Sequence, residues 1–491
     1  MPKEFALESV VRLQCSPRSR TSSEGKVWHV SGGNVGHRAG SIEPDDRDVT
    51  RQVDGPADED AVGYAAQPPR ISRRHVLRGA AAAAVSPIAL RSTLASAVTG
   101  PLPDLALATV QNGLLATVRA TGAARIRIRV WPKADPSAAI ASAWALTNAA
   151  NAATIAIPGA AADGRAWSWV GDVQNQQATS AIVTTSTRTV AARAISGPTA
   201  FTFAFGCCMH QRDAIPALQV ARSASPLFFA NIGDMGYRDS PEAYPNLQNY
   251  AGYVDLFRKL LRNPDFVPLL AQTPFYGMQD DHDYGKDGCD RFTVKSYAAQ
   301  AYADLVPGAR WPGDAYRRWS IGDVDFFLTD NRRHKDPRGG PYENGLWMSV
   351  LGTTQRNWLL NGLAASKAPV KFVFIPMTMI FYWSKGERAA VRRFIADRVS
   401  GRVIFLSGDK HASAFARWPE GTWEMLAGPL QNPVKHYTPS AFGVIWTENG
   451  TGRALYNCIG LVDVDTVNKR TVTLRLLREN GVELHREVVP V

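Results

Sequence analysis

The stretch FANIGDMGYRDS (residues 229–240) places an apolar run directly before a glycine, an aspartate and a tyrosine. Taken alone, this is most simply a turn, because Gly and Asp are common turn formers and Tyr often packs at the rim of a core. The rest of the chain repeats the pattern. Apolar runs that end in polar residues are typical of buried strands whose ends carry a site.

Beyond about residue 199, further apolar runs alternate with helical patterns. The strand candidates are AFTFAFG, PLFFANIG, DVDFFLTD, VKFVFIP and RVIFLSGD, and the helix candidates are NYAGYVDLFRKLLRN, TQRNWLLNGLAAS and ERAAVRRFIADRV. Strands buried on both faces with helices between them predict a layered α/β domain over residues 199–491. The last 33 residues, from Ile459, return to a hairpin pattern and are expected to close this domain.

Residues 98–198 have a different pattern. Short alternating runs such as RIRIRVWP and ATIAIPG lie between turn residues. This period of two predicts a small antiparallel β-sandwich, immunoglobulin-like or fibronectin-like, with no evident chemistry of its own.

The composition narrows the class of protein. A chain of 491 residues with 45% hydrophobic and 20% charged residues is ordinary for a globular protein with more than one domain. Five cysteines exclude a scaffold built from disulfides. The net charge of +11 favours anionic partners, but the arginines are dispersed and no nucleic-acid motif is present.

Residues 71–97 predict a twin-arginine (Tat) export signal. Arg73 and Arg74 precede a mildly apolar, alanine-rich run, and Ala95-Ser96-Ala97 offers a cleavage site of small residues. The run is too short to anchor the chain across a bilayer. The expected location is therefore outside the cytoplasm, as a secreted, periplasmic or cell-wall-associated protein, with the Tat machinery as a partner. That route exports folded proteins, which suits a metal site loaded beforehand.

Residues 1–70 precede this signal and lack hydrophobic periodicity. They predict either a disordered, unusually long leader or an N-terminal extension assigned by a misplaced translation start, for example with the true start near Val62.

Five of the predicted loops carry potential metal ligands, and one of them also carries an arginine. Four follow strands, and the fifth is MQDDHDYGKDG; together they hold Cys207, Cys208, Asp234, Tyr237, Asp280, Asp281, His282, Asp283, Asp287, Asp330, Arg332, Asp409 and His411. Carboxylates that share a site repel one another, and metal ions relieve that repulsion. Thiolate, phenolate and carboxylate together favour Fe³⁺, while the remaining aspartates suit Ca²⁺; zinc and manganese are the alternatives.

These motifs, in this order, resemble the alkaline phosphatase D (PhoD-type) family of metallophosphoesterases. FAFGCC resembles its Phe-x-Phe-Gly-Ser-Cys, IGDMGY its Gly-Asp-x-x-Tyr, and DDHDYGKD its Trp-Asp-Asp-His-Asp/Glu loop with a trailing Asn. TDNR, GTTQRNWLLNGL and LSGDKHAS resemble its Asp-x-Arg, Gly-x-x-Gln-x-x-Trp-Leu and Ser-Gly-Asp-x-His. The likeness covers residues from about 200 to the end.

The resemblance implies a four-layer core, with two β-sheets flanked by helices, that holds one Fe³⁺ and one or two Ca²⁺. It implies hydrolysis of phosphate esters by metal-activated hydroxide. The implied metal ligands are Cys208, Asp234, Tyr237, Asp281, Asp287, Asp409 and His411, with Asp234 shared between ions. Two catalytic residues are implied: Arg332 would clamp the phosphate, and His282 would protonate the leaving oxygen or position the phosphate.

Some assignments have alternatives. His282 can be structural, Arg332 can pair with Asp330, and Asp280 is expected to fix its loop rather than bind metal. Cys289 and Cys458 are expected either to form a disulfide or to stay buried.

The chain also departs from the family pattern. Gln279 replaces the family's Trp, Cys207 its Ser and Asp287 its Asn, which leaves the ligand role of Asp287 open. Because strand residues alternate between faces, Cys207 and Cys208 are expected to point apart, so that only Cys208 binds metal.

Two other functions are compatible with the same sequence motifs. One is a phospholipase D-like phosphodiesterase on the same fold, and the other is a non-catalytic protein that binds phosphate polymers or cell wall. The sequence does not predict an oligomeric state.

Overall fold

The computed structural model describes residues 100–211, 214–238, 248–338, 349–381, 383, 385–432, 443–447 and 456–491. The predicted N-terminal extension and Tat signal lie outside these residues. Within them, no helix is both long and apolar enough to cross a membrane.

The first part of the described chain consists of short strands in two sheets. Its strands are β1 (Pro103–Val110), β2 (Gly113–Ala120), β3 (Ala124–Pro132), β4 (Ile140–Ala141), β5 (Ala145–Leu146), β6 (Ala152–Pro158), β7 (Trp167–Asn175), β8 (Val183–Thr184) and β9 (Arg188–Val190), with a 3₁₀ helix at Pro136–Ala138. One sheet has the order β1-β2-β6. The other has β4-β3-β7-β8, with β5 also on β3 and β9 on β7.

Alternation on β3 explains the packing of this sandwich. Ile126, Ile128 and Val130 point into a shared apolar core, while the arginines between them face outward. Trp167 and Trp169 fill the same core from β7. This agrees with the antiparallel sandwich that the period of two predicts.

The second part alternates strands and helices before it returns to strands. Its elements are β10 (Ala200–Gly206), α1 (Pro216–Ser223), β11 (Phe229–Ile232), α2 (Tyr250–Leu261), α3 (Phe266–Leu270), β12 (Phe275–Met278), a 3₁₀ helix at His282–Tyr284, α4 (Ser296–Leu305), β13 (Arg317–Ile321), β14 (Val324–Leu328), α5 (Gly352–Ala365), β15 (Val370–Met377), α6 (Lys385–Arg398), β16 (Arg402–Gly408), β17 (Ala414–Arg417), β18 (Trp423–Leu426), β19 (Val444–Thr447), β20 (Cys458–Asp465), β21 (Thr471–Arg478) and β22 (Glu483–Pro490).

These strands form two sheets. The first has the order β12-β11-β10-β20-β21-β22, and the second has β13-β14-β15-β16-β18-β17-β19. In the first sheet β10, β11 and β12 are parallel, and in the second β14, β15, β16 and β18 are parallel. The C-terminal strands β20 to β22 close the first sheet as an antiparallel meander.

The two sheets pack face to face across an aromatic core. Phe203 of the first sheet stacks on Phe228 at 4.7 Å between ring centroids and meets Phe326 of the second edge-on at 5.7 Å. Helices α1 to α4 cover the outer face of the first sheet, and α5 and α6 cover that of the second. The order helices, sheet, sheet, helices confirms the predicted four-layer α/β fold.

Gly408, at the end of β16, packs closely against residues at the ends of β10 and β11. A Cβ atom at this position would lie only 2.8 Å from the Cβ of Cys207 and 3.1 Å from the carbonyl oxygen of Ile232. A side chain would therefore require these neighbours to shift. The ends of β10, β11 and β16 meet here, so the residues that follow these strands lie close together.

Candidate metal centre

Asp234 lies at the centre of a buried group of metal-binding side chains. Three clusters of ligand atoms, each within 4.8 Å, all include it: Cys208, Asp234 and His411; Asp234, Asp281 and His282; and Asp234, Asp280, Asp281 and Asp409. These residues come from the ends of strands in both sheets. The structure therefore gathers most of the residues that the sequence singled out.

The first cluster combines sulfur, nitrogen and carboxylate oxygen, and the phenol oxygen of Tyr237 lies beside it. The Sγ atom of Cys208 lies 3.6 Å from Oδ2 of Asp234. The hydroxyl of Tyr237 lies 3.2 Å from the same Oδ2 and 3.0 Å from Nε2 of His411. Asn432 also approaches Nε2 of His411, at 3.3 Å.

The prediction that Cys207 and Cys208 point apart is wrong. Their Sγ atoms lie 3.1 Å from each other, and both residues are fully buried. Strand alternation requires an extended backbone, but β10 ends at Gly206 and Cys208 has φ of 60°, in the left-handed region. Only Cys208 belongs to a metal-binding cluster among the described residues.

Three ligand candidates share this unusual backbone conformation. Cys208, Asp234 and Asp409 have φ values of 60°, 55° and 69°. Such conformations cost energy in non-glycine residues and are concentrated at functional sites. Each of the three follows a strand end, where the sharp change in φ turns the side chain from the sheet toward the shared centre.

Arg332 lies among the carboxylates of the third cluster. Its Nε bonds to Asp280, and its Nη2 lies 3.1 Å from Oδ2 of Asp281 and 2.8 Å from Oδ2 of Asp409. The alternative pairing with Asp330 does not occur, since that carboxylate accepts a hydrogen bond from Tyr284 at 2.6 Å.

The electrostatics of these carboxylates follow from burial and from Arg332. Burial raises the pKa of Asp234 and of Asp409 well above the usual value, and neighbouring carboxylates add to the effect. Burial also raises the pKa of Asp280, to about 6, against the opposing charge of Arg332. For Asp281 burial is outweighed by Arg332 and His282, and the pKa falls to about 2.

Asp287 is the one predicted ligand that the structure does not bring to the centre. Its side chain is 83% exposed, and its Oδ1 lies 3.9 Å from Nε2 of His282. The 3₁₀ helix ends at Gly285 (φ 87°), and the loop then turns outward. The amide of Gly288, rather than the carboxylate of Asp287, reaches Asp281, at 2.8 Å.

His282 lies at the rim of the centre. Its side chain is 17% exposed, and its ring centroid is 4.2 Å from that of Tyr237. It also forms a cluster with Asp234 and Asp281. This partly exposed position beside the carboxylates is where a proton donor or phosphate contact is needed.

The residues present fit bound metal ions. The Oδ1 atom of Asp234 is buried and has no hydrogen-bond partner in the structure. A buried carboxylate oxygen without a partner is costly, and coordination to a cation removes that cost. Thiol, phenol, imidazole and several carboxylates around one such oxygen form a donor set for hard or borderline cations.

Polar side chains from outside the centre hold the loop that carries Arg332. Gln355 of α5 accepts from the amide of Asp330 at 2.7 Å and donates to its carbonyl at 2.9 Å. Asn331 accepts from the amide of Met377 at 3.0 Å, which ties the end of β14 to the end of β15.

Cys289 and Cys458 are both buried and are not joined in a disulfide, so the disulfide alternative does not occur. Cys289 packs with Tyr284 and Ala299, whereas Cys458 belongs to the core between the sheets.

Sequence reasoning assigned no role to Asp283 or Asn432. Asp280 lies in the third cluster, and its expected role in fixing its loop rather than binding metal stays a prediction. Asp283 accepts from backbone amides of two neighbouring loops. Asn432 follows β18 in GPLQNP, where the sequence gives no signal of its contact with His411.

A family model described as PhoD-like phosphatase matches residues 203–470, which include every member of the three clusters. The chain belongs to the PhoD-like phosphatase family. This confirms the resemblance found in the sequence. The chain is a metal-dependent hydrolase of phosphoric esters.

Solved structures support the same fold. A structure described as PhoD is 12% identical with a TM-score of 0.62, and the alignment covers 78% of this chain and 92% of that one. The purple acid phosphatase PPD1 from seeds of yellow lupin (Lupinus luteus) is 11% identical with a TM-score of 0.57, covering 79% and 74%. At such identities the likeness shows the fold alone. Among curated proteins the comparison finds no match.

Proposed function

We propose that this member of the PhoD-like phosphatase family is an exported phosphoesterase of the alkaline phosphatase D type that cleaves phosphomonoesters or phosphodiesters. One observation carries the proposal. Asp234 belongs both to a cluster with a thiol and an imidazole and to a cluster made only of carboxylates. A single bridging carboxylate between two chemically different sites is the arrangement that a pair of unlike cations requires.

The proposed cations are Fe³⁺ and Ca²⁺. Cys208, Tyr237, Asp234 and His411 would hold the iron, because thiolate and phenolate stabilise a strong Lewis acid. Asp281 and Asp409, with Asp234 and Asp280, would hold calcium, which prefers carboxylate oxygens. The exposed Asp287 has no part in this set.

When bound, the ions would supply positive charge against the phosphate and make hydroxide available from water near neutral pH. Arg332 holds Asp280, Asp281 and Asp409 at fixed positions, and its charge contributes to the attraction for a phosphate oxygen. His282, at the rim, would give a proton to the leaving oxygen or position the phosphate. Closure of the site by the two sheets excludes water from the carboxylates, which strengthens each of these interactions.

Export is proposed from Arg73 and Arg74 and the small-residue cleavage site that follows them. The Tat machinery would carry the folded, metal-loaded protein out of the cytoplasm, to the periplasm, the cell wall or the medium.

The test combines metal analysis with a panel of phosphoesters. Purified protein is assayed for metal content and for hydrolysis of a phosphomonoester, a phosphodiester and a choline phospholipid. We expect bound iron and calcium and hydrolysis of the phosphomonoester or the phosphodiester. Asp234→Asn should lose both metal and activity. Asp325→Asn is the matched control, because Asp325 is a buried carboxylate near the start of β14 that accepts from the hydroxyl of Ser366.

Hydrolysis confined to the phospholipid would favour the phospholipase D-like alternative. Metal-loaded protein that cleaves none of the three would overturn the proposal and favour a phosphate-binding role.

A further inference from the structure

We propose that Asp283 is a positioning residue that fixes Asp234 and the adjoining ligand loop without binding an ion itself. The inference rests on the proposed ligand role of Asp234. Asp283 belongs to none of the three clusters, although it is fully buried within the loop that supplies Asp281 and His282.

The contacts of Asp283 converge on one backbone position. Its Oδ2 accepts from the amide of Asp234 at 2.7 Å, and its Oδ1 accepts from the amide of Met235 at 2.8 Å. These two amides belong to the peptide planes on either side of the Cα atom of Asp234. One carboxylate therefore fixes both φ and ψ of Asp234, and with them the direction of its side chain.

The two hydrogen bonds hold Asp234 in an unfavourable backbone conformation. Asp234 has φ of 55°, a conformation that a non-glycine residue keeps only when its surroundings enforce it. The two buried hydrogen bonds at this one residue offset the backbone strain.

The same carboxylate also joins two loops. Oδ2 of Asp283 also accepts from the amide of Asp280, in its own loop, at 2.9 Å. The same oxygen therefore holds the loop after β12 and, through the amide of Asp234, the loop after β11. The loops are in close contact at that point, since a Cβ atom on Gly233 would lie 2.5 Å from the Cβ of Asp280. The spacing between Asp234 and the carboxylates of the third cluster is thereby set.

The chemistry of this position requires a carboxylate. Three amide donors face two oxygens, and each oxygen receives at least one of them. An asparagine offers one oxygen, and its NH₂ group would face an amide donor in either orientation. Asp283→Asn therefore keeps the shape of the side chain but breaks the set of hydrogen bonds.

The experiment compares the wild type, Asp283→Asn and the control Asp325→Asn in metal titrations and in hydrogen exchange of the metal-free proteins. Partners that orient metal ligands typically change metal affinity about 10–100-fold, and we expect a loss of that size in Asp283→Asn. We also expect faster exchange of the amides of Asp234 and Met235. Asp325→Asn should change neither quantity.

Wild-type metal affinity in Asp283→Asn overturns the inference, whatever its exchange rate or activity. An equal loss in Asp325→Asn overturns it as well, because the effect would then reflect general destabilisation. Asp283→Ser is the second variant if Asp283→Asn does not fold, since its smaller side chain leaves room for water to accept from the amides. These readouts do not depend on hydrolysis, so a failure of the proposed function is distinguishable from a failure of this inference.

Discussion

Replacement of Arg332 by alanine removes the positive charge shared by three buried carboxylates. The Arg332 side chain is 3% exposed and contacts Asp280, Asp281 and Asp409. Removing one partner of a buried ion pair typically costs about 3–5 kcal/mol, because the remaining charge has no compensation. We expect the metal-free Arg332→Ala protein to lose unfolding free energy in that range.

Bound metal ions should reduce the loss of unfolding free energy in Arg332→Ala. Cations bound by the same carboxylates supply the missing charge, so the stability loss should shrink when metal is added. The catalytic loss should persist, since the phosphate contact proposed for Arg332 needs the guanidinium itself and not only a compensating charge. We expect kcat/KM to fall by about 10²-fold or more, with metal content close to that of the wild type.

The assay is urea unfolding of chelator-treated and metal-loaded protein, alongside steady-state kinetics. Arg333→Ala is the matched control, since this adjacent arginine lies over the ring of Trp311 at 4.7 Å, donates to the carbonyl of Arg310 at 3.3 Å and is 3.8 Å from Asp330. Near-normal kinetics in Arg332→Ala would refute a direct role in catalysis. Unchanged stability of the metal-free variant would refute the charge argument itself.

Three further predictions test other parts of the molecule. Tyr237→Phe and Cys208→Ser should each shift or abolish a visible absorption band of the iron-loaded protein while the fold is kept, and a colourless wild type that is fully active would refute the ferric assignment. Replacing Arg73 and Arg74 with lysine should retain precursor inside the cell in a fractionation assay, whereas normal secretion would contradict a Tat signal. Burial raises the pKa of Asp280 to about 6, so the metal-free native state binds more protons than the unfolded chain between about pH 4 and 6. The unfolding free energy of the metal-free protein should therefore fall by a few kcal/mol as pH rises from about 4 to 6. Urea titration at several pH values measures this change. An unfolding free energy that stays constant or rises over this range would contradict the prediction.

The sequence predicts the layers well because the strands of the core are apolar on both faces and end abruptly. AFTFAFG and RVIFLSG leave no doubt about where the chain is buried, and polar residues follow at one edge of each sheet. Hydrophobic patterning therefore located the Cys207-Cys208 pair, Asp234 and Asp409 without any structure, and the family resemblance selected Cys208 from the pair.

Patterning could not predict the backbone beyond the strand ends. The left-handed φ of Cys208 brings its sulfur beside that of Cys207, a result that strand alternation forbids. The loop DDHDYGKD shows the same limit. Its aspartates are alike in composition, yet a turn at Gly285 leaves Asp287 exposed while Asp280 is buried at the centre.

Strand ends from both sheets converge at the proposed metal centre, so its ligand candidates are synthesised at different times. Asp234 and Asp281 leave the ribosome well over a hundred residues before Asp409 and His411. At usual elongation rates that gap lasts on the order of ten seconds. A nascent chain in this interval holds only part of the ligand set.

The first sheet is completed later still. β10, which leads to Cys208, lies between β11 and β20, and β20 begins only at Cys458. The strand that leads to Cys208 therefore gains its second neighbour only after residues 458–465 have been synthesised. We expect a chain cut before these residues to hold metal more weakly than the chain that contains them.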